Sequence, residues 1–406
     1  MRYYIGVDWA DEEHAVWVAD EAGTQVLAQK VKHTADGLSE WGRRLHEWRA
    51  QGLELWAAIE RPEGRVVDFL LDHGVVVYPI NPKALDRARD RFRMSGAKSD
   101  FFDARVLAEF LRTDHGHLDP LRPSSEPAQE LKLLTRDHRR LVRQQTRLLN
   151  QLTATLKEYF PRPLEVFEDL TTPTARDFLL AYPTPQAVAA LTRPEWKKFT
   201  RAHGLTHRQT TELWETLGRP QLPVPPHVIR AKARLVRTLV AQLGPTVQAV
   251  DEYHTAVTDF FATMPAAQWA RTLPGGKTGS TVPLLWGELG DAPGRWHSFP
   301  HLQAQGGAVP VTKRSGKQHV VSFRFACNTH LRYAAHTLAF VSLTRCEWAK
   351  AYYEQYRARR HSHHEALRAL AAKWLKIIFV MWARQVPYDE KHHLASIQQQ
   401  HLRQAA

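Results

Sequence analysis

Four acidic side chains in the N-terminal part of the sequence could act together on a metal ion. Asp8 lies within the apolar segment IGVDWA, where a charge is costly unless it is paired or bound to a metal. Glu60 ends a second apolar segment, WAAIE, and the spacing of Asp100 and Asp103 places both on one face of a helix. Oxygen ligands of this kind suit Mg²⁺ or Mn²⁺. Two such ions, about 4 Å apart, would activate a nucleophile and stabilise the leaving oxygen in phosphoryl transfer.

Each of these carboxylates also has a purely structural interpretation. Asp8 could accept hydrogen bonds from the backbone at a strand end, and Glu60 could pair with Arg61 or Arg65. The two later aspartates could simply favour the positive end of a helix dipole. The combination is more specific than any member, because a β-hairpin follows the first Asp and a strand delivers the Glu.

A serine near the C-terminus gives a second chemical signal. Ser315 stands in the segment KRSGK, and Gly316 would let the backbone approach a ligand closely. A serine hydroxyl is a weak nucleophile that needs activation. With a phosphate held by neighbouring cations, it could attack phosphorus and form a phosphoserine ester. The alternative interpretation is an exposed basic turn. The cationic neighbours are Lys313, Arg314, Lys317 and Arg324.

The segment that begins at Leu273, LPGGKTGSTVPLLWGELG, predicts a short glycine turn between helices. Such turns can present backbone N–H groups to a phosphate. The segment lacks the G-x-x-x-x-G-K-[ST] spacing and the strand context of a P-loop, which excludes that type of ATP site.

The carboxylates need a scaffold, and residues 1–124 predict one. Three strand-like segments are followed by a helical pattern from Thr34 to Gln51, the strand LELWAAIE, a helix closed by Gly74 and the strand VVVYPINP. A further helix begins near Ser99. This order predicts an α/β domain with a mixed sheet.

The rest of the chain predicts mainly helices. Residues 128–160 contain no Gly or Pro and have leucines at helical or near-heptad steps, which predicts a long amphipathic helix in a coiled coil or stalk. Residues 162–225 are rich in Pro and Thr, with short helices, and 226–265 predict a second long helix, interrupted near Gly244-Pro245, that could pair antiparallel with the first. We therefore predict a helical region over 125–265 and, over 266–406, a mainly helical domain with a Gly-rich, serine-bearing region.

Positive charge dominates the sequence and favours nucleic acid as a partner. There are 55 Lys and Arg against 42 Asp and Glu, a formal net charge of +13. One basic cluster precedes the helix at Ser99, and another forms a stripe on the long helix, which has the alternative interpretation of a solvated face. The candidate phosphate-binding residues of these two groups are Arg87, Arg91, Arg93, Lys98, Arg139, Arg140 and Arg143.

Other classes of protein are disfavoured. Cys327 and Cys346 are the only cysteines, so there is neither a disulfide framework nor a CxxC pair for zinc. No apolar run reaches the length of about 18 residues that a membrane span requires, and the N-terminus has no signal-peptide core. We expect a cytoplasmic protein.

Several motifs in a fixed order resemble insertion-sequence family one hundred and ten. At the N-terminus these are D-W-A at Asp8, I-E-R-P at Ile59, N-P at Asn81 and K-S-D-F-F-D-A at Lys98. At the C-terminus they are L-P-G-G, A-V-P-V-T-K-R-S-G-K, R-F-A-C-N-T-H-L-R, two helical runs and P-Y-D-E. The resemblance covers almost the whole chain, and its two terminal blocks are specific.

The resemblance implies a fold, an activity and partners. It implies a ribonuclease-H-like N-terminal domain, similar to Holliday-junction resolvases, with Asp8, Glu60, Asp100 and Asp103 as a Mg²⁺ or Mn²⁺ tetrad. Ser315 would be the nucleophile that is joined transiently to DNA. Donor and target DNA would be chosen by pairing with a structured bridge RNA. The protein would act as a homo-oligomer, a dimer or tetramer, with the tetrad of one subunit beside the serine of another.

Two other functions remain open on the sequence. A junction-resolving endonuclease would use only the N-terminal metals and leave Ser315 idle, so a covalent protein–DNA adduct would distinguish it from a recombinase. A non-catalytic DNA- or RNA-binding protein would keep its function when Asp8 is changed to Ala.

Overall fold

The computed structural model describes residues 1–92, 99–316 and 318–395. The chain divides into two compact units, Met1–Pro123 and Ser124–Ala406. The first contains a mixed sheet with helices, and the second is mostly helical. The separation of the second unit into a helical region and a C-terminal domain near residue 265 stays a prediction.

The first unit follows the order of strands and helices that the sequence predicts, with one additional helix, α3, in the basic segment. Ser99 caps α4 as expected, because its side chain accepts a hydrogen bond from the Phe102 backbone N–H. The elements are β1 (Arg2–Asp8), β2 (Glu13–Ala19), β3 (Gln25–Lys32), α1 (Ala35–Ala50), β4 (Glu54–Ile59), α2 (Arg65–Asp72), β5 (Val76–Pro79), α3 (Pro82–Phe92) and α4 (Asp100–Asp114).

The five strands form one sheet in the order β3-β2-β1-β4-β5. β1 pairs antiparallel with β2 and parallel with β4, so the sheet is mixed as predicted. Side chains alternate between its faces. Ile5 and Val7 pack with α1 and α2 on one face, while Tyr4 packs with α3 and α4 on the other. The sheet is therefore covered by helices on both faces.

The second unit contains two long helices and many shorter ones. Its elements are α5 (Glu126–Tyr159), α6 (Arg162–Val166), α7 (Pro173–Ala181), α8 (Pro185–Ala189), α9 (Arg193–Ala202), α10 (His207–Leu217), α11 (Pro226–Thr263), α12 (Ala267–Ala270), α13 (Thr281–Leu289), α14 (Phe299–Gln305), β6 (Val311–Ser315), β7 (Gln318–Ser322), α15 (Thr329–Ser342), α16 (Glu347–Ala358) and α17 (His363–Arg384).

The long helices α5 and α11 pair antiparallel. His138 lies beside His254, while the later Glu158 forms an ion pair with the earlier Lys232. The predicted interruption of α11 was wrong, because the helix continues through Pro245. A proline removes one helical hydrogen bond, but packing on both sides of the gap keeps the helix in register: Leu243 and Thr246 are buried. That the long helix belongs to a coiled coil or stalk stays a prediction.

Two apolar cores flank this helix pair. One gathers the C-terminal half of α5, the N-terminal half of α11 and the short helices α7 and α9. The other gathers α13, α15 and α17 around Trp374. The β6–β7 hairpin, which the sequence did not predict, adds no side chain to the buried part of either core. Among the described residues, no helix is both long and apolar enough to cross a membrane.

Candidate metal centre and serine hairpin

Strand alternation places two of the predicted carboxylates side by side. Asp8 ends β1, and Glu60 follows the last residue of β4. The strands are parallel neighbours with Val7 opposite Ile59, so the next residues, Asp8 and Glu60, leave adjacent strand ends. Both belong to the alternating set that faces α4, because Ile59 and Val7 point to the opposite face.

A glycine lets α4, which carries Asp100 and Asp103, approach β1 closely. A Cβ added to Gly6 would lie 1.8 Å from the Ala104 carbonyl oxygen and 2.7 Å from the Ala108 nitrogen. The backbone of α4 therefore contacts that of β1 directly, and this contact begins at the residue that follows Asp103. Gly6 was not among the predicted residues, although a glycine inside an apolar strand often marks such a close approach.

The charges of the other three predicted carboxylates act on Asp8. Burial raises the pKa of Asp8 to about 6, and the negative charges of Asp103, Asp100 and Glu60 add to that rise in this order, while Arg89 opposes it. Among the described residues, Glu60 forms no ion pair with Arg61 or Arg65. The alternative interpretation that Glu60 pairs with one of these arginines is therefore wrong.

Arg89 of α3 balances one member of the cluster. Its Nε and Nη2 atoms donate to the two oxygens of Asp103 at 2.7 and 2.8 Å, and it also pairs with Asp86. Asp103 is only 7% exposed, so this bidentate pair lies in a desolvated place. Arg89 was not among the predicted site residues, but its helical spacing from Leu85 and Ala88, both buried, indicates that it faces α4.

The donor chemistry of the cluster fits a divalent cation. The negative charges of Asp103, Asp100 and Glu60 raise the pKa of Asp8, and Mg²⁺ or Mn²⁺ would neutralise this excess of negative charge. Within the described ranges, no three His, Cys, Asp or Glu side chains are close enough to hold one ion. Arg89 balances the charge of Asp103.

Ser315 lies at the tip of the β6–β7 hairpin. It pairs with Gln318 across a two-residue turn in which Gly316 has φ of +53°, a value that favours glycine. Ser315 and the preceding Lys313 and Arg314 are exposed. In the described part of the chain, the Ser315 hydroxyl has no hydrogen-bond partner. The hairpin thus presents an unactivated hydroxyl among cations.

The predicted cationic residues have different surroundings. Arg87 and Arg91 on α3, and Arg140 and Arg143 on α5, are exposed. Arg324 is half-buried, and its Nε donates to the Val309 carbonyl at 3.2 Å. Three further predicted residues, Arg93, Lys98 and Lys317, lie outside the described residues.

Arg139 departs from the predicted stripe, because it is only 7% exposed. Its guanidinium lies 4.0 Å from the Tyr333 ring centroid, and burial, followed by the charge of Arg143, lowers the pKa of Arg139 to about 10. In this conformation it is a packing residue rather than a surface cation. The helix turns by about 100° per residue, and this puts Arg139 towards α15 while Arg140 faces solvent.

Nearby, a charged residue that was not predicted as a site residue is fully buried. Glu288 of α13 has no exposed surface and accepts hydrogen bonds from Arg136 at 2.6 and 2.9 Å and from Asn328 at 2.7 Å. Burial would raise the pKa of Glu288, but these hydrogen bonds hold it below its usual value. Asn328 also caps α15. This cluster, the Glu288 network, joins α5, α13 and α15.

Two family models match this chain, one at each end. Residues 5–161 match a transposase family model, that of the IS110 DEDD transposase domain, and residues 268–354 match the model of the transposase IS116/IS110/IS902 family. A Streptomyces coelicolor protein, provisionally described as the mini-circle transposase for IS117, is 31% identical over 98% of both chains. The chain belongs to the IS110 family of transposases.

A second relative agrees with this family, and one solved structure is too dissimilar to support an argument. An uncharacterized 44.8 kDa protein of insertion element IS116 from Streptomyces clavuligerus is 26% identical to this IS110-family chain over 94% of each. A solved structure of T. thermophilus RuvC in complex with Holliday junction substrate covers 30% of this chain and all of its own at 15% identity, but its TM-score of 0.23 is too low to support an argument. Family membership confirms the expected transposase activity, which requires cleaving and rejoining DNA.

Proposed function

We propose that this IS110-family transposase cuts and rejoins DNA with two chemical centres. A ribonuclease-H-like unit holds Mg²⁺ or Mn²⁺ with Asp8, Glu60, Asp100 and Asp103, and Ser315 is the nucleophile. The observation that carries the proposal is that α4, which bears Asp100 and Asp103, packs on β1 at Gly6, so that the charges of Asp103, Asp100 and Glu60 all act on Asp8.

The residues around the cluster define what the chain itself contributes. Asp8 and Glu60 are fixed by paired strands, and Asp103 by a helix whose N-terminus favours negative charge. A bound divalent ion supplies Lewis-acid polarisation of a phosphodiester. To hold the ion, Asp103 would give up its bidentate bond with Arg89, and Arg89 would keep its ion pair with Asp86.

The serine step is a transesterification. The Ser315 oxygen forms a bond to phosphorus, and one phosphodiester P–O bond breaks, so that one strand end leaves as a hydroxyl. The serine proton passes to an acceptor that assembly with nucleic acid and other subunits provides. Attack by a new strand hydroxyl reverses the step and restores the serine. Lys313 and Arg314 would hold the phosphate.

The choice of DNA by a bridge RNA completes the proposal. A protein that delegates sequence choice to base pairing needs cations that contact backbone rather than bases. The net charge of +13 and the exposed Arg87, Arg91, Arg140 and Arg143 support such a role. Assembly into a dimer or tetramer would bring a serine to the carboxylates of another copy.

The serine is tested by trapping the covalent intermediate. Wild-type protein with its guide RNA and DNA should give a protein–DNA adduct on denaturing gels, and peptide mass spectrometry should map it to Ser315. Ser315→Ala should bind DNA and RNA normally, because one hydroxyl adds little to an interface dominated by phosphate contacts, but should neither cleave nor recombine. Recombination by Ser315→Ala, or an adduct on Ser322 or Tyr333, would refute the assignment.

The metal centre is tested by binding as well as by activity. Asp8→Asn and Glu60→Gln should abolish strand cleavage and weaken Mn²⁺ binding measured by electron paramagnetic resonance, while RNA binding stays intact. Glu63→Gln, which changes a nearby acid outside the tetrad, serves as the control. Full activity in excess chelator would overturn the tetrad. Cleavage without any adduct would favour the junction-resolving endonuclease instead.

A further inference from the structure

A second cationic site lies at the glycine turn between α12 and α13, away from the serine hairpin in the sequence. The turn forms a pocket of about 180 Å³ whose lining includes Arg271, Gly275, Gly276, Lys277 and Arg345. Three of these side chains are cationic, and none of the lining residues is acidic. The pocket is therefore a concave, positively charged place with room for a phosphate group and water.

Two of the three cationic side chains of this pocket, those of Lys277 and Arg345, form no hydrogen bond or ion pair among the described residues. Both residues are exposed. Arg271 is anchored by a hydrogen bond from Nη2 to the Thr258 carbonyl at 3.2 Å, and its Nε is buried without a partner. An unsatisfied buried donor of a charged group costs free energy that a bound anion would recover.

The backbone of the turn adds further donors. Gly275 has φ of +73°, and a Cβ on Gly276 would lie 2.8 Å from the Arg271 carbonyl oxygen, so the tight turn requires both glycines. Within the described chain, the N–H groups of Lys277 and Thr278 donate to no protein acceptor. Successive free N–H groups beside cations form an anion-binding concavity.

We propose that this pocket, the glycine-turn site, binds a backbone phosphate of duplex DNA. Phosphodiester chemistry matches the donors, and DNA is the substrate of this transposase family. The site anchors the second unit on the duplex independently of sequence. This role rests on family membership and not on the chemistry proposed for Ser315 or the carboxylates.

The test compares binding of labelled duplex DNA by full-length variants over a range of salt. Lys277→Gln with Arg345→Gln should weaken affinity at least about tenfold at low salt and reduce the slope of log Kd against log salt by about one, because one lost phosphate contact contributes about 0.9. Lys350→Gln, an exposed lysine loosely paired with Glu354 at 3.9 Å, is the matched control and should leave both unchanged.

Three outcomes would count against a DNA site in this pocket. An unaltered slope in the double variant would overturn the proposal, as would an equal loss in the Lys350→Gln control. A loss confined to RNA of the same sequence, with DNA binding intact, would assign the pocket to RNA and refute a DNA site. Thermal melting should show an unchanged fold, because Lys277 and Arg345 support no internal contact among the described residues. Ser315→Ala is expected to bind DNA normally. Weaker DNA binding by the Lys277 and Arg345 variant would then report on the glycine-turn site and not on the serine proposal.

Discussion

At the scale of single residues, His14 illustrates how burial sets a protonation state. His14 is fully buried in β2, and its Nδ1 accepts a hydrogen bond from the Ala10 N–H at 3.3 Å. The proton therefore sits on Nε2, which donates to His33 Nδ1 at 2.8 Å. Burial, and then the charge of His33, lowers the pKa of His14 to about 4. The pair holds the loop after Asp8.

This predicts a loss of stability in mild acid. The unfolded histidine has a pKa of 6.5, above the folded value of about 4, so the unfolded state binds more protons between these values. Stability should be complete above about pH 6.5 and fall by about 2–3 kcal/mol as the pH drops to about 4. Urea unfolding of wild type and of His14→Gln measures it: the variant should lose this part of the pH dependence. If the free energy of unfolding fell equally with decreasing pH in both proteins, the assignment to His14 would be contradicted.

Single residues also show what the sequence could and could not predict. Asp8 was predicted as a site residue because a charge in an apolar segment must be paired or bound to a metal, and its role in binding metal stays a prediction. The same condition applies to Glu288 in VPLLWGEL, which was missed and which the structure shows to be a buried ion-pair partner. Local sequence marks both as costly charges. Whether such a charge belongs to a metal site or to a structural ion pair depends on what it contacts. A partner that is distant in sequence, such as Arg136, can be identified only from the fold.

At the scale of elements, the contact between α4 and β1 should be sensitive to one methyl group. Gly6→Ala would force α4 away from β1, since the nearest atoms belong to backbone and cannot rotate aside. We expect a loss of about 1–3 kcal/mol or more in stability and a loss of strand cleavage as the carboxylates separate. Gly116→Ala, where a Cβ meets nothing within 4 Å, is the matched control in calorimetry and cleavage assays. If Gly6→Ala were as stable as the wild type, the close contact between α4 and β1 would be contradicted.

The Glu288 network gives a second prediction for elements. Glu288→Ala leaves Arg136 half-buried without its carboxylate and should destabilise the protein by about 3–5 kcal/mol. Replacing both partners by apolar residues, Glu288→Leu with Arg136→Met, should recover most of that loss, because no uncompensated charge remains. Chemical unfolding of the two variants measures the difference. A double variant as unstable as the single one would show that the pair is not the source of the effect.

Helices and strands of the first unit were predictable to within a few residues, because strand patterns, the Ser99 cap and the Gly74 turn act locally. The order β3-β2-β1-β4-β5 was not, since strand pairing depends on distant segments. In the second unit, Gly244-Pro245 predicted a break in α11 that tertiary packing overrides. The β6–β7 hairpin was also missed, because five-residue strands with exposed side chains give no apolar alternation.

At the scale of the whole molecule, surface charge should govern affinity for nucleic acid. Arg140→Gln with Arg143→Gln should weaken DNA or RNA binding uniformly across sequences and lower the salt slope by up to about two. Arg208→Gln is the control, because Arg208 and Arg140 are similarly exposed, at 86% and 81%, and each pairs with a helical neighbour. Fluorescence anisotropy at several salt concentrations measures the slope. An unchanged slope would mean that the stripe is a solvated face.

The division of the carboxylates between β1, β4 and α4 also has a consequence for synthesis. Asp8 leaves the ribosome long before Asp100 and Asp103, and α4 can settle over Gly6 only after the strands beneath it have paired. A nascent or truncated chain therefore carries scattered acids rather than a concentrated negative site.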